Sequence, residues 1–320
     1  MGAMQAQDYA MAKWAIGVRL PGSTERMVEE AFNRGEILRT HVMRPTWHFV
    51  VPEDLRGMLL LSAERIKSSS RSRDRDLGIT EALYDKSNQA IRKALEGGKH
   101  LTRKELSDEL ERANIAVDSS RLYHFLMRAE VDAIVCSGAM RGKEHTYALL
   151  DERTPTSSAV SKEEALAKLT QRYFRSHSPA TLSDFVWWSG LSQTEAKRGL
   201  EATKADFCAE EIDGRTYWVP TTFKEGVNPK KSVLLLPAFD EYIIAYTDRT
   251  AVLPAQNLSK AISSNGVFRP VIVADGQVIG LWKKSPSKKQ AVLLNYFEGG
   301  SDCESREVED AVGRFQKFLL

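Results

Sequence analysis

Two glutamines near the start of the chain, Gln5 and Gln7, are separated by a single alanine. A glutamine oxygen can accept a hydrogen bond from a water molecule, and its amide can donate one to a phosphate or a sugar. On a regular helix, residues i and i+2 point about 200° apart. The pair can therefore serve one substrate only if the segment is irregular or if Gln5 precedes the first full turn. The alternative is a pair of solvated residues at a helix start.

A second group of polar side chains lies in the stretch RPTWHFV. Strand alternation places Arg44, Thr46 and His48 on one face. This row could line a nucleic-acid cleft, with Arg44 on a phosphate; the alternative is a half-buried strand with one satisfied histidine. His41 and His48 have no third ligand at a suitable spacing, so we expect no metal ion and no other cofactor.

The stretch RIKSSSRSRDR is the most basic run considered for DNA binding. Its serines and alternating cations predict a flexible, positive segment that would suit a phosphate backbone and be sensitive to salt. The alternative is a solvated linker. The candidate backbone-binding residues are Arg65, Lys67, Arg71, Arg73 and Arg75.

A carboxylate, Asp240, follows the apolar run SVLLLPAF. It could hold a turn or pair with a basic side chain such as Arg249, and we favour this structural role. A buried carboxylate can also stabilise a cationic transition state, so Asp240 is a secondary candidate for the cleft.

The composition limits the class of protein. The 320 residues are 42% hydrophobic and 28% charged, as in globular proteins. The apolar runs are too short to cross a bilayer and no secretion leader is evident, so we expect a cytoplasmic protein, nucleoid-associated when bound to DNA. Cys136, Cys208 and Cys303 are too far apart for a CxxC-type zinc site. The net charge of +2 does not by itself indicate a nucleic-acid partner.

The elements that would position these residues recur three times. The order is a helix, capped helices and a strand hairpin, with a capping box at Thr102 and Glu105 and a hairpin turn at Asp213 and Gly214. This order is typical of winged helices. We therefore predict an α+β fold of three tandem winged-helix units, followed by a small β-rich element with a C-terminal helix. The predicted segments are 1–65, 66–155, 156–228 and 229–320.

Four stretches support a more specific interpretation: QAQDYAMAKWAIGVRL, RTHVMRPTWHFVVPED, LLLPAFDEYIIAYTDR and RPVIVADGQVIGLWKK. In this order and spacing they resemble the AlkZ/YcaQ-type winged-helix proteins, a family of crosslink-repair DNA glycosylases. The resemblance covers almost the whole chain. It implies three tandem winged helices and a β-rich element that together hold double-stranded DNA.

The resemblance also implies roles for the two glutamines. In the family, a Gln–apolar–Gln motif carries the catalytic function, and the matching residues here are Gln5, Ala6 and Gln7. Members excise cationic N7-alkylated purines, some of them from interstrand crosslinks, without a metal. Family members usually carry a helix before the motif, whereas four residues precede it here, so we expect Gln5 to fray unless it is tied down.

Three functions are therefore weighed. The first is a glycosylase that acts as a monomer. It would be monofunctional, because no lysine stands in the motif to form a Schiff base. The second is a non-catalytic winged-helix regulator, a dimer that reads bases through the helix SSRLYHFLMRAEV. Its candidate base-reading residues are Arg121, Tyr123, His124 and Arg128. The third is a protein-interaction scaffold, which would show no salt-dependent affinity for DNA.

Overall fold

The computed structural model describes residues 1–154, 160–223, 232–286, 291–298 and 305–320. The strands are β1 (Ala3–Gln5), β2 (Leu38–Val42), β3 (Thr46–Val50), β4 (Leu101–Thr102), β5 (Val135–Ser137), β6 (Thr146–Leu149), β7 (Phe207–Ile212), β8 (Arg215–Pro220), β9 (Val233–Leu236), β10 (Val271–Ala274), β11 (Gln277–Lys284) and β12 (Val292–Tyr296). The helices are α1 (Tyr9–Gly17), α2 (Glu25–Arg34), α3 (Pro52–Asp76), α4 (Glu81–Leu95), α5 (Arg103–Arg112), α6 (Ser119–Val131), α7 (Leu150–Arg153), α8 (Lys162–His177), α9 (Leu182–Ser189), α10 (Gln193–Ala202), α11 (Glu241–Ile244), α12 (Leu258–Ala261) and α13 (Ser305–Phe318).

The described chain divides into two compact units, each built from separated segments. The first unit comprises Met1–Ala3, Ala31–Tyr173 and Ser189–Thr203. The second comprises Met4–Glu30, Phe174–Trp188 and Lys204–Leu320. The predicted boundaries at 155/156 and 228/229, and Cys303, lie outside the described residues, and the division into four segments stays a prediction.

The clearest repeat of helices and hairpin lies in the first unit. Its order is α4, β4, α5, α6, β5 and β6, and its strands form one sheet in the order β4-β6-β5. The predicted capping box is confirmed, because Thr102 and Glu105 exchange hydrogen bonds between side chain and main chain at 3.2 and 2.7 Å. Leucines and aromatic residues of α4, α5 and α6 form one buried cluster behind this sheet.

The basic run is helical, so the prediction of a flexible segment is wrong. It forms the second half of α3, which continues to Asp76. Ile66 and Asp74 are buried on this helix, and Ser69 and Ser70 each donate to the Ile66 carbonyl oxygen. The packed face stabilises a helix whose exposed face is rich in arginine.

A four-stranded antiparallel sheet forms the core of the second unit, in the order β12-β11-β10-β9. The turn at Asp275 and Gly276 has positive φ at both residues, 47° and 82°, as does the turn at Asp213 and Gly214, 50° and 72°. Both turns join antiparallel neighbours, β10 to β11 and β7 to β8, and the second confirms the hairpin predicted at Asp213 and Gly214.

Within the second unit, four indole N–H groups donate hydrogen bonds to the segment 235–244. They belong to Trp14, Trp187, Trp188 and Trp282, which donate to Leu235, Ile244, Glu241 and Leu236 respectively, all at 2.7–2.8 Å. Buried indole N–H groups need acceptors, so this segment collects hydrogen bonds from several elements. The fold is mixed α/β. No helix among the described residues is long and apolar enough to span a bilayer.

Candidate active site

The glutamine motif lies where a strand gives way to a helix. Gln5 is the last residue of β1, Ala6 is fully buried, and Asp8 caps α1 by accepting the Met11 N–H at 3.0 Å. Gln5 is 7% exposed, whereas Gln7 is open to solvent. Because the two glutamines precede the first helical turn, the helical rule that would point them about 200° apart does not apply to them.

Gln5 is tied down, which is the condition under which the sequence predicts no fraying. Its main-chain N–H donates to Oε1 of Glu241 at 2.8 Å. Oε2 of Glu241 accepts the indole N–H of Trp188 at 2.8 Å, and Nε2 of His177 lies 3.5 Å from the same oxygen. Sequence reasoning missed Glu241, because no local pattern connects two residues 236 positions apart.

Asp240 pairs with a basic side chain, but that side chain is Arg19 and not the predicted Arg249. Its carboxylate accepts two hydrogen bonds from the Arg19 guanidinium, at 2.7 and 2.8 Å. It also caps α11 by accepting the Tyr242 N–H at 2.9 Å. Burial disfavours the charged form of Arg19, but the Asp240 carboxylate outweighs burial and raises the pKa of Arg19. Arg249 instead donates to the Ile243 carbonyl oxygen.

The polar row of the first unit is only partly a strand face. Arg44 lies in the turn before β3, not in the strand as predicted, while Thr46 and His48 are two residues apart on β3. His48 is 1% exposed, and its Nδ1 lies 2.9 Å from the Thr46 carbonyl oxygen. His41 is buried against the Glu130 carboxylate. Among the described residues, no group of three His, Cys, Asp or Glu side chains is placed to hold a metal.

The five basic candidates of α3 fall into two groups. Arg65 pairs with Glu195 at 3.1 Å and Lys67 with Asp132 at 2.7 Å. The other three, Arg71, Arg73 and Arg75, are exposed on the last turns of the helix. Two of the five cations therefore form ion pairs within the first unit, and the other three are exposed to solvent.

Two of the four candidate base-reading residues of α6 are held by contacts within the first unit. His124 is 8% exposed, and its Nδ1 lies 2.9 Å from Asp74. Arg128 is held by Glu81 and Asp132 at 2.6 and 2.8 Å. These contacts place both side chains within the first unit. This arrangement does not favour the regulator interpretation.

Comparison with known proteins identifies the class of enzyme. Residues 1–318 match the DNA glycosylase AlkZ-like family. The class of enzyme is therefore a DNA glycosylase, whose substrate is DNA. The chain belongs to the AlkZ-like DNA glycosylase family, and this confirms the resemblance drawn from its motifs.

A curated relative and a solved structure, both from Streptomyces sahachiroi, are similar to this chain. The interstrand DNA cross-link repair glycosylase is 25% identical over 299 residues, which are 88% of this chain and 79% of the relative. The solved structure of the DNA glycosylase AlkZ matches with a TM-score of 0.83 and 22% identity, covering 99% of this chain and 88% of that chain. The fold is therefore that of AlkZ, and neither match supports a regulator.

Proposed function

We propose that this glycosylase hydrolyses the N-glycosidic bond of cationic N7-alkylated purines in double-stranded DNA, including purines joined in interstrand crosslinks. The observation that carries the proposal is the position of Gln5 and Gln7 at an irregular strand-to-helix junction. The similarity to a relative named for interstrand crosslink repair supports the crosslinked substrate.

The reaction needs little acid–base assistance. Alkylation at N7 makes the purine cationic, so the bond between N9 and C1′ breaks with both electrons passing to the base, which leaves neutral. The sugar passes through an oxocarbenium-like state, as in glycoside hydrolysis. A water oxygen then bonds to C1′ and releases one proton to solvent. Charge is conserved, because one cation enters and one proton leaves.

The glutamines would hold the attacking water. Gln7 is an exposed residue; its side-chain oxygen can accept from that water, and an amide group can donate to the sugar or a phosphate. Fixed acceptors orient the nucleophile and complement the positive charge that develops on the sugar. Asp8 is occupied as the cap of α1, so the two glutamines are the catalytic pair of the proposal.

DNA binding follows from the basic end of α3. Arg71, Arg73 and Arg75 would contact phosphates, with Arg44 and Thr46 shaping a cleft and the buried His48 supporting them from behind. We assign α4 to β6 as one of three winged helices, because a three-helix group followed by a two-stranded wing has this order. The proposed state is a monomer in the cytoplasm, associated with the nucleoid when bound to DNA.

The test is release of N7-methylguanine from duplex DNA, measured with enzyme in excess. Gln5→Ala and Gln7→Ala are expected to lower the rate constant by about 10²-fold or more, while affinity for unmodified duplex persists. Gln316→Ala, on the exposed face of α13 in the same unit, is the matched control and retains activity. Absence of release by the native protein, with DNA binding intact, would refute the alkylpurine substrate, and a crosslinked duplex would then test the remaining substrate.

A further inference from the structure

The glutamine motif rests on a carboxylate buried within the second unit. Glu241 is 2% exposed, and one of its oxygens accepts the main-chain N–H of Gln5. Its other oxygen accepts the indole N–H of Trp188 and lies 3.5 Å from Nε2 of His177. The carboxylate therefore joins the motif to α8 and α9.

We propose that Glu241 is a positioning residue for the glycosylase reaction. By holding the main chain at Gln5, it sets the direction in which the Gln5 side chain leaves the backbone, and so the place of the attacking water. This inference rests on the proposed function of the glutamine pair. It assigns to that pair a supporting residue 236 positions away in the sequence.

The chemistry of this contact requires a carboxylate. Gln5 and Trp188 both present N–H donors, one to each oxygen of Glu241. A carboxylate offers two acceptor oxygens, whereas an amide offers one acceptor and one donor. A glutamine at this position would turn its NH₂ group toward one of the two donors and lose that hydrogen bond. Hydrogen bonds to an ionised acceptor are also shorter and stronger than neutral ones, so the carboxylate is the firmer support.

The position of the contact makes it effective for catalysis. Gln5 ends β1, Ala6 is fully buried, and Asp8 fixes the start of α1. The motif is therefore clamped on both sides, by Glu241 before it and by the helix cap after it. Release of the first clamp would let the Gln5 main chain rotate, and a displacement of about 1 Å at a reacting group can cost about 10²-fold in rate.

A buried carboxylate in the same unit provides a matched control. Asp184 is 4% exposed on α9; one of its oxygens accepts two hydrogen bonds from Thr247, both at 2.7 Å, and the other accepts two from Thr181, at 2.7 and 2.9 Å. These donors are main-chain N–H and hydroxyl groups, which are neutral. Asp184→Asn therefore removes the same charge from the same unit without altering a contact to the glutamine motif, and it measures the general cost of losing a buried carboxylate.

The experiment compares Glu241→Gln, Glu241→Asp and Asp184→Asn in the full chain. The single-turnover rate constant is measured on duplex DNA containing N7-methylguanine, and the Kd is measured on unmodified duplex. We expect Glu241→Gln to lower the rate constant about 30-fold with a change in Kd below about threefold. Glu241→Asp, which keeps two acceptors, should recover part of the rate, and Asp184→Asn should stay within about threefold of the native rate. Equal losses in Glu241→Gln and Asp184→Asn, or a parallel loss of DNA affinity, would overturn the proposal.

Amide hydrogen exchange of residues 3–8 gives a readout that does not depend on activity. The exchange rate is expected to rise at least about tenfold in Glu241→Gln and to stay unchanged in Asp184→Asn. If Glu241→Gln does not fold, amide exchange is measured in Trp188→Phe instead. This variant removes the indole donor but leaves the Gln5 contact, so its exchange rate is expected to rise, but by less than about tenfold. If the native protein releases no base, the proposed function fails, while increased exchange still supports the positioning role. Unchanged exchange in the folded variants overturns it.

Discussion

The ion pair between Arg19 and Asp240 is predicted to be a large single contribution to the stability of the second unit. The two side chains make two hydrogen bonds, at 2.7 and 2.8 Å. The Asp240 side chain is 1% exposed and that of Arg19 is 31% exposed. The carboxylate is therefore the buried partner, and removal of the guanidinium leaves it without its charged neighbour.

The expected magnitude follows from this asymmetry. Breaking a fully buried pair costs about 3–5 kcal/mol, and the partial exposure of Arg19 lowers the expectation for Arg19→Leu to about 3 kcal/mol. Asp240→Asn keeps one acceptor and leaves a guanidinium that water can reach, so we expect a loss of about 2 kcal/mol. The double variant should also lose about 2 kcal/mol, because no carboxylate is then left unpaired, which gives a coupling energy of about 3 kcal/mol.

The assay is urea unfolding followed by tryptophan fluorescence. Of the six tryptophans, only Trp47 lies in the first unit, so the signal reports mainly on the second unit. The free energy of unfolding is compared among the native protein, both single variants and the double variant. A loss below about 1 kcal/mol for Arg19→Leu, or single losses that simply add in the double variant, would refute the reasoning.

Three further predictions concern the sheet, the acid stability and the DNA contact. In Gly280→Ala, the new Cβ would lie 2.5 Å from the Asn295 carbonyl oxygen on β12, so we expect a loss of about 1–3 kcal/mol, measured by thermal unfolding; an unchanged melting temperature would contradict this. A main-chain N–H at the start of α5 and then the Arg141 guanidinium lower the pKa of Glu105 from 4.5 to about 2; its stabilisation is therefore present above about pH 4.5 and lost toward pH 2, and Glu105→Gln should differ from the native melting temperature at pH 5 but not at pH 2. Arg73→Gln should weaken binding to duplexes of any sequence and reduce the slope of log K against log salt by about 0.9, measured by fluorescence anisotropy; an unchanged slope would exclude a phosphate contact.

The parts of the fold that were predictable are those encoded within a few residues. The capping box at Thr102 and the Asp-Gly turn at Asp213 are present, because each depends on neighbours three or fewer positions away. The family motifs in turn predicted the class of enzyme.

The helical state of the basic run was not predictable in this way. Asp74 stabilises the end of α3 by accepting hydrogen bonds from Tyr84 and His124, the latter 50 positions away. An isolated stretch of serines and arginines has weak reason to be helical, and packing against α4 and α6 overrides that preference. The partner of Asp240 was missed for the same reason, since Arg19 lies 221 positions away.

The contact between Gln5 and Glu241 also determines when the motif can become ordered during synthesis. The two residues are 236 positions apart, and ribosomes add about 5–20 residues per second. After Gln5 has been made, it therefore waits roughly 12–47 seconds for the carboxylate that holds it. A nascent chain or a fragment lacking the last third carries the motif without its support. DNA therefore meets the supported motif only after the chain has been made through Glu241.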